Sequence, residues 1–172
     1  MPQRSVPLPM RLRDSGLWAL LAVSLIVAGC DAVRPAATAF RVVDSSESPR
    51  VIGEFLHPTA VLVTTDEHTF TIGIQSTRLF GRVELYYELP DCVGSPFVRA
   101  GAGYENLLLM AAIDSAGMVH VADVEAEEVS FLEASKVDSR RQCVPAAGRQ
   151  LQGKPAVAAL DVSTLVPPFS IE

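Results

Sequence analysis

Lysine is scarce in this chain: of its 14 basic residues, only Lys136 and Lys154 are lysines. Positive charge is scarce as well, since 20 acidic residues give a formal net charge of −6. An acidic surface argues against nucleic acid as a partner and against peripheral binding to anionic lipid. The single tryptophan, Trp18, lies in the apolar N-terminal stretch, so the body has no indole on which a sugar ring could stack. No Walker loop, H-E-x-x-H, EF-hand loop or G-x-S-x-G is present. Gly101-Ala102-Gly103 lacks the third glycine and following helix of a dinucleotide site and reads as a loop. His57, His68 and His120 are scattered and read as unrelated surface histidines rather than a metal site. A divalent cation wants six or more oxygens, for which Asp123, Glu125, Glu127, Glu128 and Glu133 are the candidates. They read as a solvated acidic face, so no metal and no cofactor are expected.

What is there begins at the N-terminus. Arg4, Arg11 and Arg13 form a basic segment, and Leu17 to Val27 follows as an uncharged, mostly apolar run. That run is shorter than the roughly 20 residues needed to cross the hydrocarbon of a bilayer. It closes on Val27-Ala28-Gly29-Cys30, which resembles the lipobox of bacterial lipoproteins. The resemblance implies cleavage between Gly29 and Cys30 and a diacylglyceryl group on the Cys30 sulfur. Each buried methylene contributes about 0.8 kcal/mol, so two or three acyl chains anchor where one does not. No twin-arginine pair precedes the run, so a Sec-type route is expected, and Met10 is an alternative start. Asp31 resembles the inner-membrane retention signal of enterobacterial lipoproteins. It leans the expected site toward the inner membrane while leaving the outer membrane open. The expected organisation is a signal peptide over 1–29, a lipidated tether over 30–38 and one β domain over 39–172.

Removing residues 1–29 takes away three arginines and one aspartate, leaving 11 basic and 19 acidic residues and a formal charge of −8. What remains is long enough to bury a core. Cys92 and Cys143 form an even pair in an exported protein, and a disulfide is expected. A metal pair or a reactive thiol would need a neighbouring His or Cys, and neither is near in sequence. Closing a loop of this size stabilises by roughly 4 kcal/mol in the chain-entropy account.

Period-two alternation dominates the body. Strands are predicted from Phe40 to Val43, from Val51 to Leu56 ahead of the His57-Pro58 break, and over Ala60–Thr64 and Thr69–Gln75. Asp66-Glu67 is the hairpin tip between the last two. Phe70, Ile72 and Ile74 should face a core, with Thr69, Thr71, Gly73 and Gln75 in water. Val83, Leu85 and Tyr87 should likewise oppose a wet face of Arg82, Glu84, Tyr86 and Glu88. Leu107 to Ile113 reads as one strand buried on both sides. Asp114–Gly117 is a turn, and Met118–Ala122 is the partner strand. Val124 to Ser135 suits either a short helix or a strand. Val157–Val162 reads as the last strand, with Pro167-Pro168-Phe169 ending the fold. The expected class is all-β, an antiparallel sandwich or small barrel.

Glu88-Leu89-Pro90-Asp91-Cys92-Val93-Gly94-Ser95-Pro96-Phe97 resembles an E-x-x-D-C-x-G-x-P-aromatic pattern of uncharacterised secreted and lipoprotein-like bacterial sequences. The resemblance extends to a second cysteine, here Cys143, and to Asp161-Val162-Ser163 followed by Pro167-Pro168-Phe169-Ser170. It implies scaffolding and carries no activity. Asp91 can begin a turn, Gly94 tolerates positive φ, and Cys92 can staple that turn to a distant strand.

Glu84, Tyr86 and Glu88 are the candidate contact surface, together with an exposed strand edge. The expected role is a binding or structural envelope module that meets a protein or glycan partner. Alternatives are a small-ligand carrier with a barrel pocket and an envelope hydrolase. A pair of carboxylates flanking a tyrosine has glycosidase-like chemistry, but the i, i+4 spacing on a strand is too wide by itself.

Overall fold

The computed structural model describes residues 39–101 and 108–172. The signal peptide, the Gly29–Cys30 cleavage site and the rest of the expected tether lie outside the described residues. So do Ala102, Gly103 and Leu107.

The described body is all-β. In chain order its strands are β1 (Arg41–Val43), β2 (Val51–His57), β3 (Ala60–Thr64), β4 (Thr69–Gln75) and β5 (Arg78–Phe80). There follow β6 (Leu85–Tyr87), β7 (Phe97–Arg99), β8 (Leu109–Met110), β9 (Ala112–Ile113) and β10 (Met118–Ala122). The last are β11 (Val129–Leu132), β12 (Ser135–Val137), β13 (Cys143–Pro145), β14 (Gln150–Asp161) and β15 (Ser170–Ile171). One sheet runs β15-β1-β2-β3-β4-β5, with β8 beside β4. The other runs β13-β12-β6-β7-β14-β10-β9, with β11 beside β14. Described pairings are antiparallel except β4 with β8.

Alternation explains the first sheet and its partner face. Val42, Ile52, Val61, Val63, Phe70 and Ile72 project from the first sheet against Ile113, Val119, Val121 and Val157 of the second. Burying each such side chain contributes about 1.5–3 kcal/mol, which makes this face-to-face layer the main core. The hairpin at Asp66-Glu67 forms as expected, with Val63 opposite Phe70 and Thr64 opposite Thr69. The wet face of β4 does not. Thr71 and Gly73 are buried, because the Phe80 ring lies over Gly73 and Thr71 donates to the Leu109 carbonyl at 3.3 Å.

The apolar run before Asp114 is two short strands rather than one. β8 pairs with β4 in the first sheet and β9 with β10 in the second, so the chain changes sheets at the buried Ala111. Continuous hydrophobicity looks the same along one buried strand or along two that turn a corner between layers. Two further expectations are corrected at the C-terminus. The strand expected at Val157–Val162 begins at Gln150, and β15 follows Phe169 to pair with β1. The ambiguous Val124–Ser135 stretch resolves into strand at β11.

The second sheet curls on itself. Four strand steps separate β11 from β12 along the hydrogen-bonded path, roughly 19 Å in a flat sheet. Only Glu133 and Ala134 join them, and so short a link reaches about 10 Å. The Glu133 amide donates to Arg149 O at 3.0 Å, and the Ala134 amide donates to Tyr87 O at 2.8 Å. Strands β6, β7, β14 and the joined β11–β12 therefore close a small ring. Tyr86, Phe97, Phe131 and Leu151 fill it. The Phe97 and Phe131 rings stack with centroids 4.6 Å apart, and Tyr86 tilts against Phe131 at 6.3 Å.

Cys92 and Cys143 are disulfide-bonded, with Cα atoms 5.9 Å apart, joining the loop after β6 to β13. Gly94 has a φ of 98°, a left-handed conformation that glycine adopts without penalty. Asp91 and Cys92 also lie in the left-handed region, at 60° and 56°, where a side chain is disfavoured. Ser135 holds this turn from β12: its Oγ accepts from the Cys92 amide at 2.9 Å and donates to Leu89 O at 2.6 Å.

Candidate functional site

Two of the three expected contact residues come together. Glu84 and Tyr86 share a face two residues apart, and the Tyr86 hydroxyl donates to Glu84 Oε2 at 2.7 Å. Glu88 does not join them, because β6 ends at Tyr87 and Glu88 stands exposed in the bend that follows. Tyr86 itself is a correction. Expected on a wet face, it is 6% exposed, since the curl turns that face inward onto Phe131.

The third member of the cluster is Lys136. It sits opposite Tyr86 in the β6–β12 pairing, and its Nζ donates to Glu84 Oε1 at 2.8 Å. Burial pushes the Glu84 carboxyl up, but bonds from Lys136 and Tyr86 outweigh it and hold the group below its ordinary value. Burial first, and then the bond to the Glu84 carboxylate, push the Tyr86 phenol up to about 12. The nearby charge of Arg99 acts in the opposite sense.

Arg82, Val83, Glu84, Tyr86, Arg99, Ala100 and Gly101 line an open depression of about 510 Å³. The guanidinium groups of Arg82 and Arg99 make no hydrogen bond or ion pair to a described residue. Both carboxylate oxygens of Glu84 are already engaged. The cleft can therefore offer two guanidinium groups that have no hydrogen-bond or ion-pair partner among the described residues, beside a fixed carboxylate–ammonium–phenol set.

Glu133 overturns another expectation. Read as part of a solvated acidic face, it is 1% exposed and accepts from Arg149 Nε at 2.7 Å through Oε1. It occupies the link that closes the ring, where β11 and β12 bend together. Its Oε2 makes no hydrogen bond to a described residue. Asp123 keeps an exposed-loop role, accepting from the Glu125 and Ala126 amides.

His120 is half-buried rather than a free surface histidine, with Nε2 3.0 Å from Asp114 Oδ2. Asp114 Oδ1 accepts from the Ala116 and Met118 amides at 2.9 and 2.8 Å. Burial raises the Asp114 carboxyl, and the His120 and backbone bonds bring it below its ordinary value. His120 Nδ1 is buried and bonds to no described residue. The pair thus fastens the β9–β10 turn, with no hydroxyl nucleophile bonded to the ring.

No family model, curated protein or solved structure matches this chain. The lipobox and D-C-x-G likenesses therefore rest on their own residues.

Sequence reading reached Glu84 and Tyr86 through alternation on one short strand. Lys136 and Arg99 carried no such signal. They join the cluster through pairings that span 50 and 11 residues of chain, Tyr86 with Lys136 of β12 and Tyr86 with Phe97 of β7.

Proposed function

We propose that this chain is a lipid-anchored, extracytoplasmic binding module of the cell envelope, contacting a protein or glycan partner through the cleft beside Glu84 and Tyr86. The supporting observation is that cleft, where two guanidinium groups without a hydrogen-bond or ion-pair partner among the described residues adjoin a pre-ordered Glu84–Lys136–Tyr86 set. Binding is favoured over hydrolysis because both Glu84 oxygens are engaged and Glu88 lies off the face, leaving no paired carboxylates to act as acid and base. The ligand-carrier reading draws less support, because aromatic and leucine side chains fill the ring interior. Anchoring rests on the Val27–Cys30 motif alone.

The test is crosslinking in cells followed by capture. Glu84→Ala combined with Tyr86→Phe should reduce capture of the partner at least tenfold, with the fold retained by circular dichroism. Unchanged capture would exclude this face. Cys30→Ser should lose the lipid label and leave the membrane fraction, and continued retention would argue for an uncleaved anchor.

A further inference from the structure

We infer that the cleft recognises carboxylate-bearing saccharides, uronic-acid glycans in particular, with Arg82 and Arg99 as the anion-binding pair. The inference rests on the reading of this cleft as the binding site and names the chemistry of its ligand. Among the described residues, half of the arginines have a side-chain partner within the fold: Arg50, Arg78, Arg141 and Arg149. Arg50 clasps Asp44, Arg149 pairs with Glu133, and Arg141 donates to Asp114 O. Arg82 and Arg99 make no hydrogen bond or ion pair to a described residue, and both line one depression.

Among the described residues, the one carboxylate in that lining is Glu84, and its oxygens are bonded to Lys136 and Tyr86 rather than to either arginine. Among the described residues, the positive charge on these two planar donors has no ion-pair partner in the cleft. Guanidinium groups match carboxylates in a two-pronged geometry, which ammonium groups do not. Beside them the phenol, carboxylate and ammonium of Tyr86, Glu84 and Lys136 are held in fixed positions. Such groups suit sugar hydroxyls.

An acidic peptide fits less well. Extended peptides bind sheets by adding a strand, and that needs a free edge. β6 is paired on both sides, by β12 and β7, and β7 is paired by β6 and β14. β6 and β7 meet only at Tyr86 and Phe97, so the lining stretches Arg82–Glu84 and Arg99–Gly101 are short flanks beyond that pair rather than a long strand edge, and side chains dominate what the cleft presents.

The test uses the purified full-length chain in detergent and isothermal titration with tetragalacturonate. Binding should weaken as salt is raised. Neutral galactose tetramer should bind at least tenfold more weakly. Arg82→Gln with Arg99→Gln should weaken tetragalacturonate binding at least tenfold without moving the thermal midpoint, and Arg140→Gln should leave it unchanged. Equal binding of the neutral tetramer, no binding of either, or an unaffected double variant would overturn the inference. Polyglutamate binding as tightly as tetragalacturonate would overturn it in favour of acidic polymers in general. If partner capture still depends on Glu84 while tetragalacturonate fails to bind, this inference falls and the binding-module reading stands.

Discussion

The two packed regions of this domain are built on different principles. The sandwich layer is a broad aliphatic contact, with Val, Ile and Phe side chains from both sheets meeting in one cluster. The ring formed by β6, β7, β14 and β11–β12 is narrow, aromatic and bordered by charge, with Glu84, Lys136, Glu133 and Arg149 around Tyr86, Phe97 and Phe131. Aliphatic layers tolerate exchange of one branched residue for another. A ring closed over a buried carboxylate does not, because each polar group needs its partner. The sandwich carries stability, and the ring carries the geometry on which the cleft depends.

The largest effect should come from Phe70→Ala, which opens a cavity in the layer shared by both sheets and should cost about 3–5 kcal/mol. Urea unfolding should show the loss in every probe. Phe131→Ala in the ring should cost a comparable amount, but hydrogen exchange should quicken mainly in β6, β7, β11 and β12. Uniform quickening across both sheets would erase the distinction between the regions.

Next is the disulfide, which ties the loop after β6 to β13 across 51 residues of chain. Cys92→Ala with Cys143→Ala should cost about 2–4 kcal/mol and leave the sandwich folded. Loss of all near-ultraviolet signal would show that the ring supports the sandwich as well.

Acid should then separate the regions by titration. Asp44, on the sandwich side, accepts from the Arg50 amide at 2.7 Å, from the Arg50 guanidinium, and from Ser46 and Val166. The Arg50 amide bond is the largest influence and carries the carboxyl well below the ordinary range against the effect of burial. A carboxyl lowered in the folded state adds stability above its unfolded value, and that stability drains as pH falls. Asp114 and Glu84 act in the same direction. The urea midpoint should fall as pH drops below about 4, and Asp44→Asn should flatten that dependence. An unchanged slope in the variant would remove Asp44 from the account.

The smallest effects belong to the cleft. Tyr86→Phe removes the bond to Glu84 and keeps the ring packing, for a loss of about 1 kcal/mol. Arg82→Gln and Arg99→Gln should each stay within about 0.5 kcal/mol of the native chain, since neither guanidinium has a hydrogen-bond or ion-pair partner among the described residues. A larger loss at either would mean that the arginine is structural.

Legibility followed the range of the interaction. The β2–β3–β4 meander, the Asp66-Glu67 tip and the Asp114–Gly117 turn could be read, because side-chain alternation and turn chemistry are local. Short β5, β7, β12 and β13 were not read: each has three residues and, unlike the equally short β1 and β6, did not stand out within a longer β-branched or alternating run. At the site, Glu84 and Tyr86 were legible as neighbours on one strand. Their true setting was not, because Tyr86 faces inward only after the sheet curls.

By itself, then, the sequence determined which segments are strands in the first meander, where they turn, and that Cys92 and Cys143 form the natural pair. It also carries, in Val27 to Cys30, the likeness to a lipidation signal. Tertiary structure alone decided the closure of β11–β12 onto β6, the burial of Glu133 and the meeting of Lys136 with Glu84. The physical reason is that alternation is written in neighbouring residues. Curling is a property of the whole sheet, fixed when distant strands exchange hydrogen bonds and aromatic side chains fill the space they enclose.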